Sequence, residues 1–200
     1  MATQASESQA RSDVAARVKR AASTLFYQRG ILAVGVNEIA SAAGATKMSL
    51  YRHFRSKDEL VIACLEANVA DELDRLRAIA RQSPNDPLGQ LRAIIADAHQ
   101  RMSAPGARGW MLANAAIEIP DPSHPIRAVC AWGEAVLRSK ILQIVRRTGL
   151  SRPEALTDGL LLVLYGAAFS WRGPGAGGPS AAMVETCEAL LAYHAQGGAK

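Results

Sequence analysis

The sequence predicts an all-α fold, and three observations carry that prediction. Apolar residues recur at three- and four-residue spacing along most of the chain. Aromatic residues make up only 5% of the 200 residues, which disfavours sheet. Helix start and stop signals punctuate the apolar stripes, and no alternating strand pattern competes with them. The expected architecture is about nine helices: a three-helix N-terminal head and a larger helical domain behind it.

Residues 1–12 are polar and lack bulk, and read as a disordered arm. Val14, Val18, Ala21, Ala22, Leu25 and Phe26 then form one amphipathic helix, which Gly30 closes. Val36, Ile39, Ala40 and Ala43 make a short second helix ending at Gly44, and Leu50, Tyr51 and Phe54 mark a third. Ser56-Lys57-Asp58-Glu59 has the pattern of a capping box and opens a long fourth helix to about Arg81. Asp86-Pro87 starts a fifth helix, to about Ser103. A short sixth spans Trp110 to Ile119, between the break at Ala104–Gly109 and Pro120, Pro122 and Pro125. Pro125 opens a seventh, to Gly149. Ser151-Arg152-Pro153-Glu154 reads as a second capping box, for an eighth helix reaching about Arg172. Gly173–Pro179 is a loop, and Ser180 starts the ninth helix, ending before Gly197. The expected domains are 13–57 and 58–196, with the helix 58–81 connecting them.

Composition narrows the function. Hydrophobic residues are 49% and charged residues 20%, as in a globular chain. The longest apolar run, Leu160 to Phe169, is too short to span a membrane, and Met1 to Arg20 has no apolar core of a secretory signal. Cys64, Cys130 and Cys187 are odd in number and far apart, so a reduced, cytoplasmic protein is expected. The net charge of +5 is unevenly placed. Residues 1–57 hold nine Lys and Arg against three acids, Glu7, Asp13 and Glu38; the remainder holds fourteen against fifteen. A basic module on a near-neutral body points to a polyanion, most simply nucleic acid, although a solvated surface would read the same way.

Residues 36–54 resolve that choice, because they have the pattern of a helix-turn-helix. Two short helices crossing steeply need a small residue inside the first, which Ala40 supplies, and a positive φ in the turn, which Gly44 supplies. Ile39 and Leu50 are placed to pack the pair, and Thr46 to cap the second helix. Lys47, Met48 and Ser49 then lie in its first turn and Arg52 one turn on, where such a helix enters the major groove.

The stretch Ala22 to Leu60 resembles the DNA-binding module of the TetR family of transcriptional regulators. The resemblance is carried by Leu25-Phe26, Gly30, Ile39-Ala40, Ala43-Gly44, Leu50-Tyr51-Arg52-His53-Phe54 and Ser56-Lys57-Asp58-Glu59-Leu60. It implies a homodimer on a palindromic operator in double-stranded DNA, a small-molecule pocket in the C-terminal domain, and a repressor that its ligand releases. By position, Lys47, Met48, Ser49 and Arg52 would face bases or nearby phosphates, and Tyr51, His53 and Lys57 the backbone. Tyr51 also reads as core, with a buried ring beside Leu50 and Phe54, and His53 reads equally as a cap on the recognition helix. Gly35 stands where the family often has a phosphate-bonding Ser or Thr, and Met48 where a small residue is common.

The eighth helix is apolar on every face through Leu160–Tyr165, and the ninth offers Val184, Cys187, Leu190, Leu191 and His194 as a stripe. The segments Leu160–Arg172 and Ser180–Ala195 are therefore the expected dimer interface, with Leu161 and Leu164 in its seam. Candidates for the ligand site are His99, Met102, Trp110, Met111, Asn114, Ile117, Glu118 and Phe169, with Cys130, Glu134 and Tyr165 as possible additions; the same stripes also read as ordinary core. His53, His99, His124 and His194 have no metal-ligand spacing, so no metal or cofactor is expected. Catalytic motifs are likewise missing. A DNA-binding repressor without an effector is one alternative reading, and a small helical enzyme the other.

Overall fold

The computed structural model describes residues 2–170, 178 and 180–197, with side chains from residue 13 onward. Among these residues there are nine helices and no strand: α1 Ala2–Arg29, α2 Val36–Ala42, α3 Lys47–His53, α4 Lys57–Gln82, α5 Pro87–Met102, α6 Met111–Glu118, α7 Pro125–Arg147, α8 Pro153–Ser170 and α9 Met183–Gln196. The expected ends at Arg172 and in the Gly173–Pro179 loop fall outside the described residues, Gly178 excepted. Helix α1 starts at Ala2, so it includes the stretch read as a disordered arm. That stretch holds three Ala and two Gln and contains neither Gly nor Pro to break a helix.

The chain divides into two compact units, and neither is a continuous segment. The first comprises Met1–Asn68 and Met111–Ala131; the second comprises Val69–Trp110 and Trp132–Lys200. The boundary expected at 57/58 thus lies at 68/69, and α6 belongs with the N-terminal head. The reason is visible in the apolar faces. Leu60, Val61, Cys64 and Leu65 at the start of α4 are buried, as are Leu112 and Ala115 of α6 and Ile126 and Cys130 of α7.

In the first unit α1 packs on α2 and α3, which also pack on each other. Val18, Ala22 and Phe26 of α1 join Ile39, Ala40 and Leu50 in the core. Gly30 ends α1 at φ +91°, its N–H donating to the Phe26 carbonyl at 2.9 Å. A side chain there would meet the Glu118 carboxylate of α6, whose oxygens lie 2.8 Å from an ideal Cβ. Glu118 is held in that place by the Leu32 N–H, which donates to it at 3.0 Å.

The second unit has its own core of Leu91, Ile95 and Ala98 of α5, Val145 of α7, Leu156, Leu160 and Leu164 of α8, and Met183, Cys187 and Leu191 of α9. Helix α5 starts as its sequence predicts, with Asp86 accepting from the Gly89 N–H at 2.7 Å and Pro87 at N1. The second expected capping box does not form. The Ser151 hydroxyl donates instead to the His194 carbonyl at 2.8 Å, and Arg152 turns through φ +51° before α8 begins. His194, buried at the end of α9, returns a ring-nitrogen contact to the Ser151 carbonyl at 2.6 Å. Ser151 therefore ties α9 to the α7–α8 turn. No helix of the described residues is long and apolar enough to cross a membrane.

Candidate nucleic-acid interface and cavity

The α2–α3 pair is built by local signals. Gly35 is the N-cap of α2, in extended backbone and without a side-chain bond. Gly44 makes the turn at φ +60°. The Thr46 hydroxyl then accepts from the Ser49 N–H at 3.1 Å and starts α3. Leu50, fully buried, anchors the helix, so the rest of its circumference faces outward. Thr46, Lys47 and Arg52 are exposed, Met48 is 70% exposed, and Ser49 and His53 are half-buried. The Tyr51 ring is 40% exposed rather than buried, because it lies about 100° around the helix from Leu50. The Lys47 ammonium sits 6.0 Å from its centre. His53 does not cap α3; the Phe54 N–H closes the helix on the Leu50 carbonyl at 3.0 Å.

Helix α4 opens beside this surface with the expected cap. The Glu59 N–H donates to Ser56 Oγ at 3.0 Å, and the Glu59 carboxylate accepts from the Arg55 N–H at 2.7 Å, one residue earlier than a standard box. Lys57, half-buried, is the first residue of the helix. Its acidic neighbour Asp58 faces His124 at 3.4 Å.

The electrostatics of this face follow from the shortage of acids. Asp13 is taken by Arg17, and Glu38 by Arg29. Arg17 also holds the turn, its Nε donating to the Ala43 carbonyl at 3.2 Å. Among the described residues no carboxylate pairs with Lys47, Arg52, Arg55 or Lys57. An exposed helix with unpaired cations, capped and turned in this way, is fitted to a phosphate backbone and a groove.

A family signature described as bacterial regulatory proteins, TetR family, matches residues 20–64, which contain all of this surface. A solved TetR-type transcriptional regulator from Streptomyces avermitilis is 30% identical, with a TM-score of 0.73, over 90% of this chain and 97% of that one. The chain belongs to the TetR family. A second family member, SCO4454 of Streptomyces coelicolor, is 27% identical with a TM-score of 0.82, over 92% of this chain and 97% of its own. The transcriptional activator FasR of Mycolicibacterium smegmatis is 41% identical over 75 residues, 38% of this chain and 34% of FasR. The chain thus spans about a third of the length of that curated relative. These relatives are regulators rather than enzymes.

The second unit carries an open space among its helices. A cleft with about 560 Å³ of empty space, the solvent at its mouth included, lies wholly within the second unit. Its walls are Leu76 and Ile79 of α4, Ile94 and Ala98 of α5, Trp110, Leu137 and Ile141 of α7, and Leu161, Leu164 and Tyr165 of α8. Glu72, Arg75, Asp97 and Arg101 complete it. The Trp110 indole donates to the Leu164 carbonyl at 3.4 Å. Burial, and to a lesser degree Glu134, push the Tyr165 hydroxyl above its ordinary pKa.

Of the eight candidate ligand residues, Trp110 alone lines this cavity. Met102 is buried in the core and His99 is half-buried outside the lining. Met111, Asn114 and Glu118 line a hollow of about 210 Å³ in the first unit, with Phe26, Tyr27 and Ile31. Ile117 and Phe169 are exposed, at 63% and 58%. Helix α6 is short enough that its apolar residues fit either unit, and Leu112 and Ala115 commit it to the first. The charged lining was legible only as i,i+3 and i,i+4 pairs, Glu72–Arg75 and Asp97–Arg101, a pattern shared with ordinary surface helices.

No group of His, Cys, Asp and Glu among the described residues forms a metal site. All three cysteines are buried. Burial raises the Cys64 thiol and pushes Cys187 up to about 11, the state of packing residues rather than redox sensors.

Proposed function

We propose that the protein is a dimeric, sequence-specific transcriptional repressor that a small, largely apolar ligand releases from a palindromic operator. The single observation that carries this reading is the set of unpaired cations on the exposed face of α3, inside the segment that matches the family signature. Thr46, Lys47, Met48, Ser49 and Arg52 face the groove. Tyr51, His53 and Lys57 face phosphate. A two-fold dimer places two such helices about one DNA turn apart, roughly 34–36 Å. Repression is the simpler sign of regulation, since a dimer on a promoter excludes polymerase by occupancy alone. A DNA partner also places the protein in the cytoplasm.

The dimer face is the outer surface of the last two helices. Leu162, 74% exposed, and Phe169 share one side of α8, and Val184 and Tyr193 stand exposed on α9. Leu161 and Leu164 are not on that side: both line the cavity, and Leu164 is buried. The ligand occupies the cavity of the second unit. Helix α4 runs from Lys57, at the DNA surface, to Arg75 and Ile79 on the cavity wall, and is the route by which occupancy changes DNA affinity. A ligand acts this way only if it prefers the arrangement that cannot bind DNA.

Selection of sites from a random DNA pool with the purified protein tests the reading. Enrichment of a palindrome is expected, and transcription from a promoter carrying it should fall when the protein is added. No enriched sequence from folded protein would sink the proposal, and increased transcription would reverse its sign. Leu162→Glu should split the dimer in sedimentation; a surviving dimer moves the interface elsewhere.

A further inference from the structure

The charged part of the cavity lining is closed on itself. Arg101 Nη1 donates to Glu72 at 2.5 Å and its Nε to Asp97 at 2.9 Å. The Arg75 guanidinium stands 3.8 Å from each of the same two carboxylates. Two positive and two negative groups therefore cancel. The face of the Arg101 guanidinium is occupied as well, lying 4.9 Å over the Trp110 ring. The carboxylates are poorly solvated, with the Glu72 side chain only 16% exposed. Beyond this quartet the walls are apolar but for two groups: the Trp110 indole N–H, taken by the Leu164 carbonyl, and the Tyr165 hydroxyl, which forms no hydrogen bond with a described residue.

We propose that this cavity selects a molecule without net charge, an apolar body bearing one hydrogen-bonding group for the Tyr165 hydroxyl. The inference rests on the reading of the cavity as the effector site, and adds the charge class of the ligand. A carboxylate ligand meets Arg75 or Arg101 only beside Glu72 and Asp97, and drawing either cation away leaves those confined carboxylates under-compensated. An ammonium ligand must displace Arg101 or Arg75 in the same way. A neutral ligand leaves all four groups paired, and its hydroxyl or carbonyl meets Tyr165.

Three probes with one skeleton test it by calorimetry at pH 7.5: 2-naphthylmethanol, 2-naphthoate and 2-naphthylmethylammonium. The alcohol should bind at least about tenfold more tightly than either ion. Tyr165→Phe should weaken the alcohol by about three- to tenfold and leave naphthalene itself unchanged. Arg101→Met leaves the two carboxylates in excess over Arg75, and should raise ammonium affinity about tenfold relative to the alcohol. Leu137→Trp, or Ile79→Trp if the first variant unfolds, fills the cavity and should abolish alcohol binding.

An ion that matches the alcohol on the native protein overturns the inference. So does the failure of all three probes to bind, or alcohol binding that survives a filled cavity. Operator affinity separates this inference from the reading beneath it. Selective alcohol binding that leaves operator affinity unchanged supports charge selection and removes the effector role. A charged probe that releases the operator in preference to the alcohol supports the effector role and overturns charge selection.

Discussion

In the first unit Lys47, Arg52, Arg55 and Lys57 have no carboxylate partner among the described residues. In the second unit Arg92 is tied to Glu188, Arg138 to Asp158, Arg146 to Glu154, and Arg101 to both Glu72 and Asp97. The residue types are the same, and the difference lies in where the acids stand. The first 57 residues contain Glu7, Asp13 and Glu38 alone, and the last two are engaged by Arg17 and Arg29. Among the described residues the positive charge of α3 is therefore left open to an anion from outside the chain. At the cavity of the second unit the cations Arg75 and Arg101 instead meet carboxylates of their own unit, Glu72 and Asp97. Net charge alone conceals this division.

The contrast can be broken most severely at Leu50, which carries no charge. Leu50→Ala removes the anchor of α3 and should cost about 2–5 kcal/mol in denaturant unfolding, with DNA binding lost for all sequences. Retained DNA affinity would mean that the basic face does not depend on this helix. Arg52→Ala should lower operator affinity by about 1–3 kcal/mol and relax the preference at one base position; an unchanged affinity removes Arg52 from the interface. Gly30→Ala forces a side chain into positive φ against Glu118, and should destabilise by about 1–2 kcal/mol. Adding Glu118→Ala should restore part of that loss if α6 belongs with the head. Lys57→Ala should lower the salt slope of DNA binding by about one unit for any sequence; an unaltered slope removes its phosphate contact. Arg138→Ala, at a cation already paired, should leave DNA affinity and slope unchanged. A measurable fall would break the comparison itself.

Local signals were readable in the sequence and non-local ones were not. Gly44, Thr46 and the Ser56–Glu59 cap act within four residues, so their roles in the fold follow from spacing. Ser151 carries the same kind of signal, yet its hydroxyl is claimed by His194, forty-three positions away. Tyr51 sits beside buried Leu50 in sequence, but one step around a helix is enough to bring it to the surface. Helix α6 is apolar on several sides, and eight residues do not say which neighbour will cover them. The cavity quartet joins α4 to α5, so neither helix alone reveals that its charges face one another across a lining.

The interleaving of the two units bears on how such a protein can be recombined. The chain passes from one unit to the other at 68/69, 110/111 and 131/132. A new DNA specificity therefore cannot be grafted as one clean N-terminal cassette. A donor head joined after residue 68 would arrive without Leu112, Ala115 and Ile126, which complete the first unit's core from α6 and α7. Exchange of a few exposed positions on α3 keeps that core intact. Operator preference should then drift by point substitution more readily than by domain shuffling.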